Sequence, residues 1–352
     1  MHRFWFVVCL TLSISPMHFC RPRGGVRCPV VVIQSGPAAR RTVREHEESI
    51  VVASQRNRSR IVVASILIKP AVLHNRPWYG DLTLANHIEY CAKHRYDYAV
   101  RTRPYQLPRH RNRSEDVPRW AKPGKAGLSW SKIRLVYALL VERGHALAFW
   151  TDADSLFTHC AVPVESLIST ARLARAHEDP EPELVFVGDR HVAINGGQFL
   201  LRRSEWATAF LHRVLSHRVS DTRTAGCGWW LFFEQAALAF ELAAANDTAS
   251  ERERCHWLMR SNVGAQECAG VMAWFRPDIR AHVQCLPSQR ALNSYHRLAA
   301  DVLLSDQEAW QPGDYRLHVP GFDRGKLKLL RDASANVSRD ERFACGVFES
   351  DG

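Results

Sequence analysis

The sequence predicts an α/β fold, a mostly parallel central sheet flanked by helices, on three observations. Apolar, β-branched runs alternate with segments of helical period. The first run, "RIVVASILI" at 60–68, is apolar almost throughout, as strands buried on both faces are. An acidic pair, Asp152 and Asp154, ends another such run, where sheets of this kind bind ligands. After the first strand, "DLTLANHIEYCAKHR" (81–95) sets Leu84, Ile88 and Cys91 at helical spacing, with Asp81 as N-cap. "YDYAVRT" reads as the next strand. The Pro- and Arg-rich stretch from Pro104 to Gly127 is a loop, long enough to suggest a function. "SWSKIRLVYALLVERG" (129–144) is a helix with Ile133, Val136, Tyr137 and Leu140 on one face, closed by Gly144. The strand "ALAFWTDADSLF" (146–157) follows at once.

The chain has 352 residues, long enough for a large core, and its 46% hydrophobic and 24% charged content excludes a disordered polymer. A net charge of +11 favours an anionic partner. The basic residues form local clusters, such as Arg101 to Arg113, with no stripe interleaved with aromatics, which argues against nucleic acid. Arg3 precedes an apolar run from Phe4 to Ile14, so residues 1–20 read as a signal peptide or a short signal anchor. Residues 21–59 read as a stem, 60–330 as one domain and 331–352 as a tail. Sequons at Asn57, Asn112, Asn246 and Asn336 agree with a lumenal address. The ten cysteines include no C-x-x-C pair, against a zinc ribbon. Cys255, Cys268 and Cys285 are the natural disulfide candidates. Setting Cys9 aside leaves an odd number, so at least one thiol is unpaired or pairs between chains.

Residues i and i+2 of a strand share a face, so Asp152 and Asp154 at a strand's end converge on one small volume. Two carboxylates held that close repel unless a cation sits between them. A lone D-x-D also serves as an ordinary turn or helix cap. Its company is what distinguishes this one. Downstream come "VFVGD" ending at Asp189, "INGGQFLLRRSEW" (194–206), "FFEQAALAF" around Glu234 and Gln235, and "GDYRLHVPGFDRGK" (313–326).

That order resembles the metal-dependent GT-A glycosyltransferases. More narrowly it resembles the retaining family that includes fungal α-galactosyl- and α-mannosyltransferases and plant xyloglucan α-xylosyltransferases. Six motifs carry the likeness across 60–330: "NHIEYCAKHRYD", Trp130 with Lys132, "TDADSLF", "INGGQFLLR", "FEQ" and "HVPG". Arg95 stands where the early motif has glycine, and Val319 where an aromatic usually follows the histidine. The resemblance implies a GT-A domain, a Rossmann-like nucleotide-diphospho-sugar transferase fold. It implies a Golgi address in the secretory pathway, as a type II anchored or a secreted protein.

It also implies roles. Asp152, Asp154 and His318 would hold Mn²⁺ or Mg²⁺ against the diphosphate of a UDP- or GDP-sugar donor. Asp152 would share its contacts between metal and ribose. Lys132, Arg324 and Lys326 are the cations for the phosphates, and Gly321, ending the H-x-x-G, joins the donor-binding set. Asn195 and Gly196 fit a tight turn that lets backbone approach the bound sugar. Asp189, Glu234 and Gln235 are placed near the sugar's reacting carbon, with a glycan or glycoconjugate hydroxyl as acceptor. An inverting enzyme, needing Asp189 or Glu234 as base, is the nearest alternative. A silent lectin-like module is the other, against which the intact Asp152, Asp154 and His318 argue.

Overall fold

Seven strands form the main sheet of the computed structural model, which describes residues 50–53, 60–68, 78–102, 123–175, 179–188, 194–216, 229–242, 268–296, 309–320 and 325–338. Their order is β1 (Ile50–Ala53), β3 (Asp97–Arg101), β2 (Ile61–Ile66), β4 (Leu147–Thr151), β7 (Gln198–Arg202), β6 (Leu184–Phe186) and β8 (Val283–Cys285). Strands β2, β3, β4, β6 and β8 point one way, β1 and β7 the other, so the sheet is mostly parallel as expected. Strand β1 comes from within the stretch read as stem and pairs antiparallel with β3.

The unbroken apolar run of β2 is explained by its place between β3 and β4 with both faces covered. Val62 and Ala64 enter a core shared with α2 (Pro123–Tyr137), α4 (Glu205–Ser216) and α5 (Trp229–Leu242). Val63, on the opposite face, packs with α1 (Tyr79–His94) and α3 (Val164–Leu173). Single-residue alternation thus builds two apolar layers from one strand.

Two shorter helices, α6 (Cys268–Trp274) and α7 (Pro277–Arg280), lead into β8. A second sheet joins β5 (Ser155–Phe157), β10 (Arg316–His318) and β9 (Ser294–Tyr295). Its core is Leu156, Leu317 and Val319, closed by Leu330 and Ala333 of α8 (Lys326–Ser338). That helix runs past residue 330.

Four local details differ from the sequence reading. Helix α2 starts at Pro123, inside the expected loop, because proline pre-sets the first helical turn. Its end widens into a π turn, Ala138–Glu142, before Gly144 leaves at φ +78. Asp81 lies in the first turn of α1, where its charge meets the helix's positive end, and Trp78 is the cap. Arg95, in place of the family's glycine, takes the left-handed C-cap conformation, φ 59 and ψ 34, that glycine adopts freely. Arg95 is exposed. Arg95→Gly is therefore expected to stabilise the fold by about 0.5–1 kcal/mol, read as a higher urea midpoint at unchanged m-value.

A disulfide joins Cys268 to Cys285, tying α6 to β8. Cys160 is also disulfide-bonded, and Cys91 is a buried free thiol. Among the described residues no helix is long and apolar enough to cross a membrane. The N-terminal apolar run, Cys255, Asn57, Asn112 and Asn246 lie outside the described residues. Asn336 is exposed on α8.

Candidate active site and metal centre

The acidic pair sits one step beyond the strand predicted to carry it. Strand β4 ends at Thr151, and Asp152 to Asp154 form a turn into β5. Ser155 Oγ donates to the Asp152 carbonyl at 2.6 Å, closing that turn. The two carboxylates converge through the turn rather than through strand alternation. Antiparallel pairing of β5 with β10 sets His318 opposite Ser155, and His318 Nε2 lies 3.0 Å from Asp154 Oδ1.

Helix α1 explains why β5 stays in place. The Asn86 side chain pairs with Phe157 as a neighbouring strand would, donating to its carbonyl at 3.0 Å and accepting from its amide at 2.7 Å. His87 Nε2 is 3.0 Å from the Ser155 carbonyl. Tyr90 stacks on Phe157 with ring centroids 3.5 Å apart and donates to the Val162 carbonyl. The polar face of "NHIEY", buried against the fold, thus secures the strand that follows the acids. Burial, reinforced by the charge of Arg316, lowers the pKa of His87 well below its usual value.

Asp152 is held from behind. Its Oδ1 accepts from the Trp150 indole at 2.9 Å and pairs with Lys132 at 3.2 Å. The Lys132 ammonium also contacts Glu234 at 2.8 Å and donates to the Gly196 carbonyl at 2.6 Å. Its three donors thus each meet an acceptor of the protein itself. Glu234 lies in the second turn of α5, which begins at Trp229. Gln235 packs against Gly196, where an added Cβ would sit 3.0 Å from its Oε1.

Burial pushes the Asp152 carboxyl above the usual range although Lys132 pulls it down. Burial acts upward on Asp154 as well, but His318 and Lys326 outweigh it and hold that carboxyl well below the usual range. For Lys132 burial acts downward, and Asp152 and Glu234 outweigh it.

Asn195 organises the neighbouring turn. Its Oδ1 accepts from the Gly197 amide at 2.8 Å, and its Nδ2 donates to the Tyr295 hydroxyl. The Asp152 amide donates to the Gly197 carbonyl at 2.9 Å, fastening this turn to the acids. Gly197, which the motif reading passed over beside Gly196, has the tighter approach: an added Cβ would lie 2.7 Å from His318 Cε1. Gly197→Ala is expected to displace His318, costing about 1–3 kcal/mol of stability. Metal affinity should fall about tenfold with it, checked by a urea midpoint and a Mn²⁺ titration. Tyr295 was also missed: its ring stands edge-on to His318 at 5.4 Å because β9 pairs with β10. The tyrosine lies in no motif, and only that pairing reveals it.

Asp152, Asp154 and His318 fit a divalent ion. Their ligating atoms all lie within 4.8 Å of one another. Two carboxylates with one imidazole suit Mn²⁺, and the imidazole makes the set less suited to Mg²⁺. His318 Nδ1 is buried without a hydrogen-bond partner. Lys326, the first residue of α8, reaches Asp154 Oδ2. Asp189, Gly321 and Arg324 lie outside the described residues.

No curated protein sequence matches the chain. Among solved structures, it is similar to a glycosyltransferase involved in glycosylation of the major capsid of PBCV-1. Identity there is 12% and the TM-score 0.43, over 77% of this chain and 98% of that one. The glycosyltransferase GlyE of Streptococcus pneumoniae TIGR4 is 9% identical, with a TM-score of 0.31, over 79% of this chain and 60% of its own. An active-site mutant of LgtC is 10% identical, with a TM-score of 0.31, over 78% and 95%. The family described as galactosyl transferase GMA12/MNN10 matches residues 57–323, a span that holds the acidic turn, the Asn195 turn, Glu234 and His318. Over that span the chain belongs to the galactosyl transferase GMA12/MNN10 family and is a glycosyltransferase.

Proposed function

We propose that the chain transfers a glycosyl residue from a UDP- or GDP-sugar to a glycan or glycoconjugate hydroxyl, with a divalent ion and with retention of configuration. The observation that carries this reading is the convergence of Asp152, Asp154 and His318 from segments more than 160 residues apart. When bound, Mn²⁺ would neutralise charge developing on the leaving diphosphate. Asp152 and Asp154 supply oxygen ligands and His318 a nitrogen. Lys132 and the Trp150 indole orient Asp152 through its Oδ1, and Glu234 holds Lys132 in place. Asn195 and Gly197 shape the backbone on which the donor sugar would rest, with Gln235 beside Gly196. Lys326 is the cation offered to the diphosphate, with Arg324 and Gly321, which lie outside the described residues, assigned to the donor from the sequence alone.

Retention is supported by the state of Glu234. An inverting reaction needs a free carboxylate base opposite the leaving group; of the two carboxylates that could serve, Glu234 is 2.8 Å from a buried ammonium, and Asp189 lies outside the described residues. Retention asks for no such base. The acceptor hydroxyl attacks on the face the diphosphate leaves; the new glycosidic bond forms as the sugar–phosphate bond breaks, and the departing diphosphate takes the hydroxyl proton. We also propose an address in the secretory lumen, in the Golgi; the N-terminal apolar run, the sequons and the Cys268–Cys285 disulfide support the lumenal part of that reading.

The test is a thermal melt of the full chain with UDP, GDP, ADP or CMP, each with and without Mn²⁺. Stabilisation that requires both Mn²⁺ and one nucleotide names the donor class, after which the anomer formed from the corresponding sugar nucleotide reports retention or inversion. A folded protein unmoved by every pair refutes the donor site.

A further inference from the structure

Both oxygens of the Asp154 carboxylate are already engaged. Oδ1 faces His318 Nε2, and Oδ2 accepts a hydrogen bond from the Lys326 ammonium. The two lysines beside the acids differ in how they are anchored. Lys132 has Asp152, Glu234 and the Gly196 carbonyl, so it keeps two partners if Asp152 turns away. Lys326 is 4% exposed and, among the described residues, hydrogen-bonds Asp154 alone, with the Tyr79 ring 5.4 Å away. It begins α8 directly after Gly325, which has φ +89 and, among the described residues, no atom within 4 Å of where a Cβ would lie. An ion held by Asp154 and His318 would lie against that ammonium, and like charges at contact distance repel.

We propose that Lys326 is the resident counter-ion of Asp154, that a divalent ion competes with it for this carboxylate, and that the displaced ammonium passes to the donor diphosphate. This rests on Asp152, Asp154 and His318 being the metal centre. The exchange makes the lysine a coupling element. Metal alone must unseat Lys326 and leave a buried ammonium without an anion, whereas metal arriving with a diphosphate gives it a new one. The ion and the nucleotide therefore strengthen each other's binding by the same factor.

The experiment measures Mn²⁺ binding to the full chain by loss of the free-ion EPR signal, with and without UDP or GDP. Wild type is compared with Lys326→Met, Lys326→Arg and Asp154→Asn, each shown folded by circular dichroism. Lys326→Met should bind Mn²⁺ alone roughly tenfold more tightly than wild type, and the nucleotide's enhancement of Mn²⁺ binding should shrink by a similar factor. Lys326→Arg, which keeps the charge, should stay near wild type. Should Lys326→Met bind Mn²⁺ no more tightly than wild type, the competition is refuted while the metal centre stands. Absence of Mn²⁺ binding in folded wild type, with or without nucleotide, removes the metal centre and the exchange together. Where Lys326→Met does not fold, Lys326→Gln supplies the same comparison.

Discussion

Replacing Asp154 with asparagine is expected to lower transfer roughly 10³-fold, the loss of about 4 kcal/mol of charge stabilisation in the transition state. The change is nearly isosteric, so it removes charge and leaves shape. Asp154 is where His318 and Lys326 meet, and no other carboxylate in the cluster touches both. Stability should fall as well, because Lys326 is then a buried ammonium facing a neutral amide. The pH dependence separates this effect from a packing defect. His318 and Lys326 hold the Asp154 carboxyl below its usual range against the upward pull of burial. A carboxyl lowered in the fold contributes stability that is full above its unfolded value, about 4, and is lost as pH falls through the folded one. The advantage of wild type over Asp154→Asn should therefore be largest at neutral pH and shrink below about pH 4. Urea midpoints at pH 7 and pH 3 measure it, and a gap that does not change with pH would assign the defect to packing.

The sequence was informative wherever the chemistry was local. The unbroken apolar run of "RIVVASILI" made β2 a central strand, and the apolar run before Asp152 put two acids at the sheet's carboxyl edge. The order of motifs was enough to bring in His318. Partnerships set by distant pairing were not legible. Nothing near Tyr295 announces that it flanks His318, because that follows from two- and three-residue strands, β9 and β10, too short to show a period. Lys132 and Glu234 each looked like a candidate for substrate; only the packing of α2 against α5 shows them paired with each other. Asn86 and His87 were legible as the start of the motif "NHIEYCAKHRYD" but not by their partners, the backbone of β5 some 70 residues on. Gly196 and Gly197 stand side by side in "INGGQFLLR", yet Gly197 is the one His318 packs against.

Arg316 is the second place where a substitution should have a large and diagnostic effect. Its side chain is wholly buried, and among the described residues no carboxylate pairs with it. The guanidinium lies 3.7 Å over the Phe157 ring, while Nε and Nη1 are buried without hydrogen-bond partners. Burial pulls its pKa down to about 10. A buried cation satisfied this incompletely contributes little net stability, and a well-packed apolar side chain of similar length often replaces one without loss. Arg316→Met is therefore expected to change stability by less than about 1–2 kcal/mol, whereas Arg316→Ala leaves a cavity costing about 3–5 kcal/mol. What Arg316 does provide is position. Nη2 donates to both Thr151 Oγ1 and Ser155 Oγ, the residues on either side of the acidic turn, whose hydroxyls are 2.8 Å apart. One nitrogen thus staples the end of β4 to the start of β5 and fixes the separation of Asp152 and Asp154. Partners that orient metal ligands typically account for 10- to 100-fold in metal affinity. Arg316→Met should accordingly keep its urea midpoint yet bind Mn²⁺ at least about tenfold more weakly. If affinity and midpoint fell together, the guanidinium would be a core residue like its neighbours; if neither moved, the staple would be redundant with the hold that Asn86 already has on Phe157.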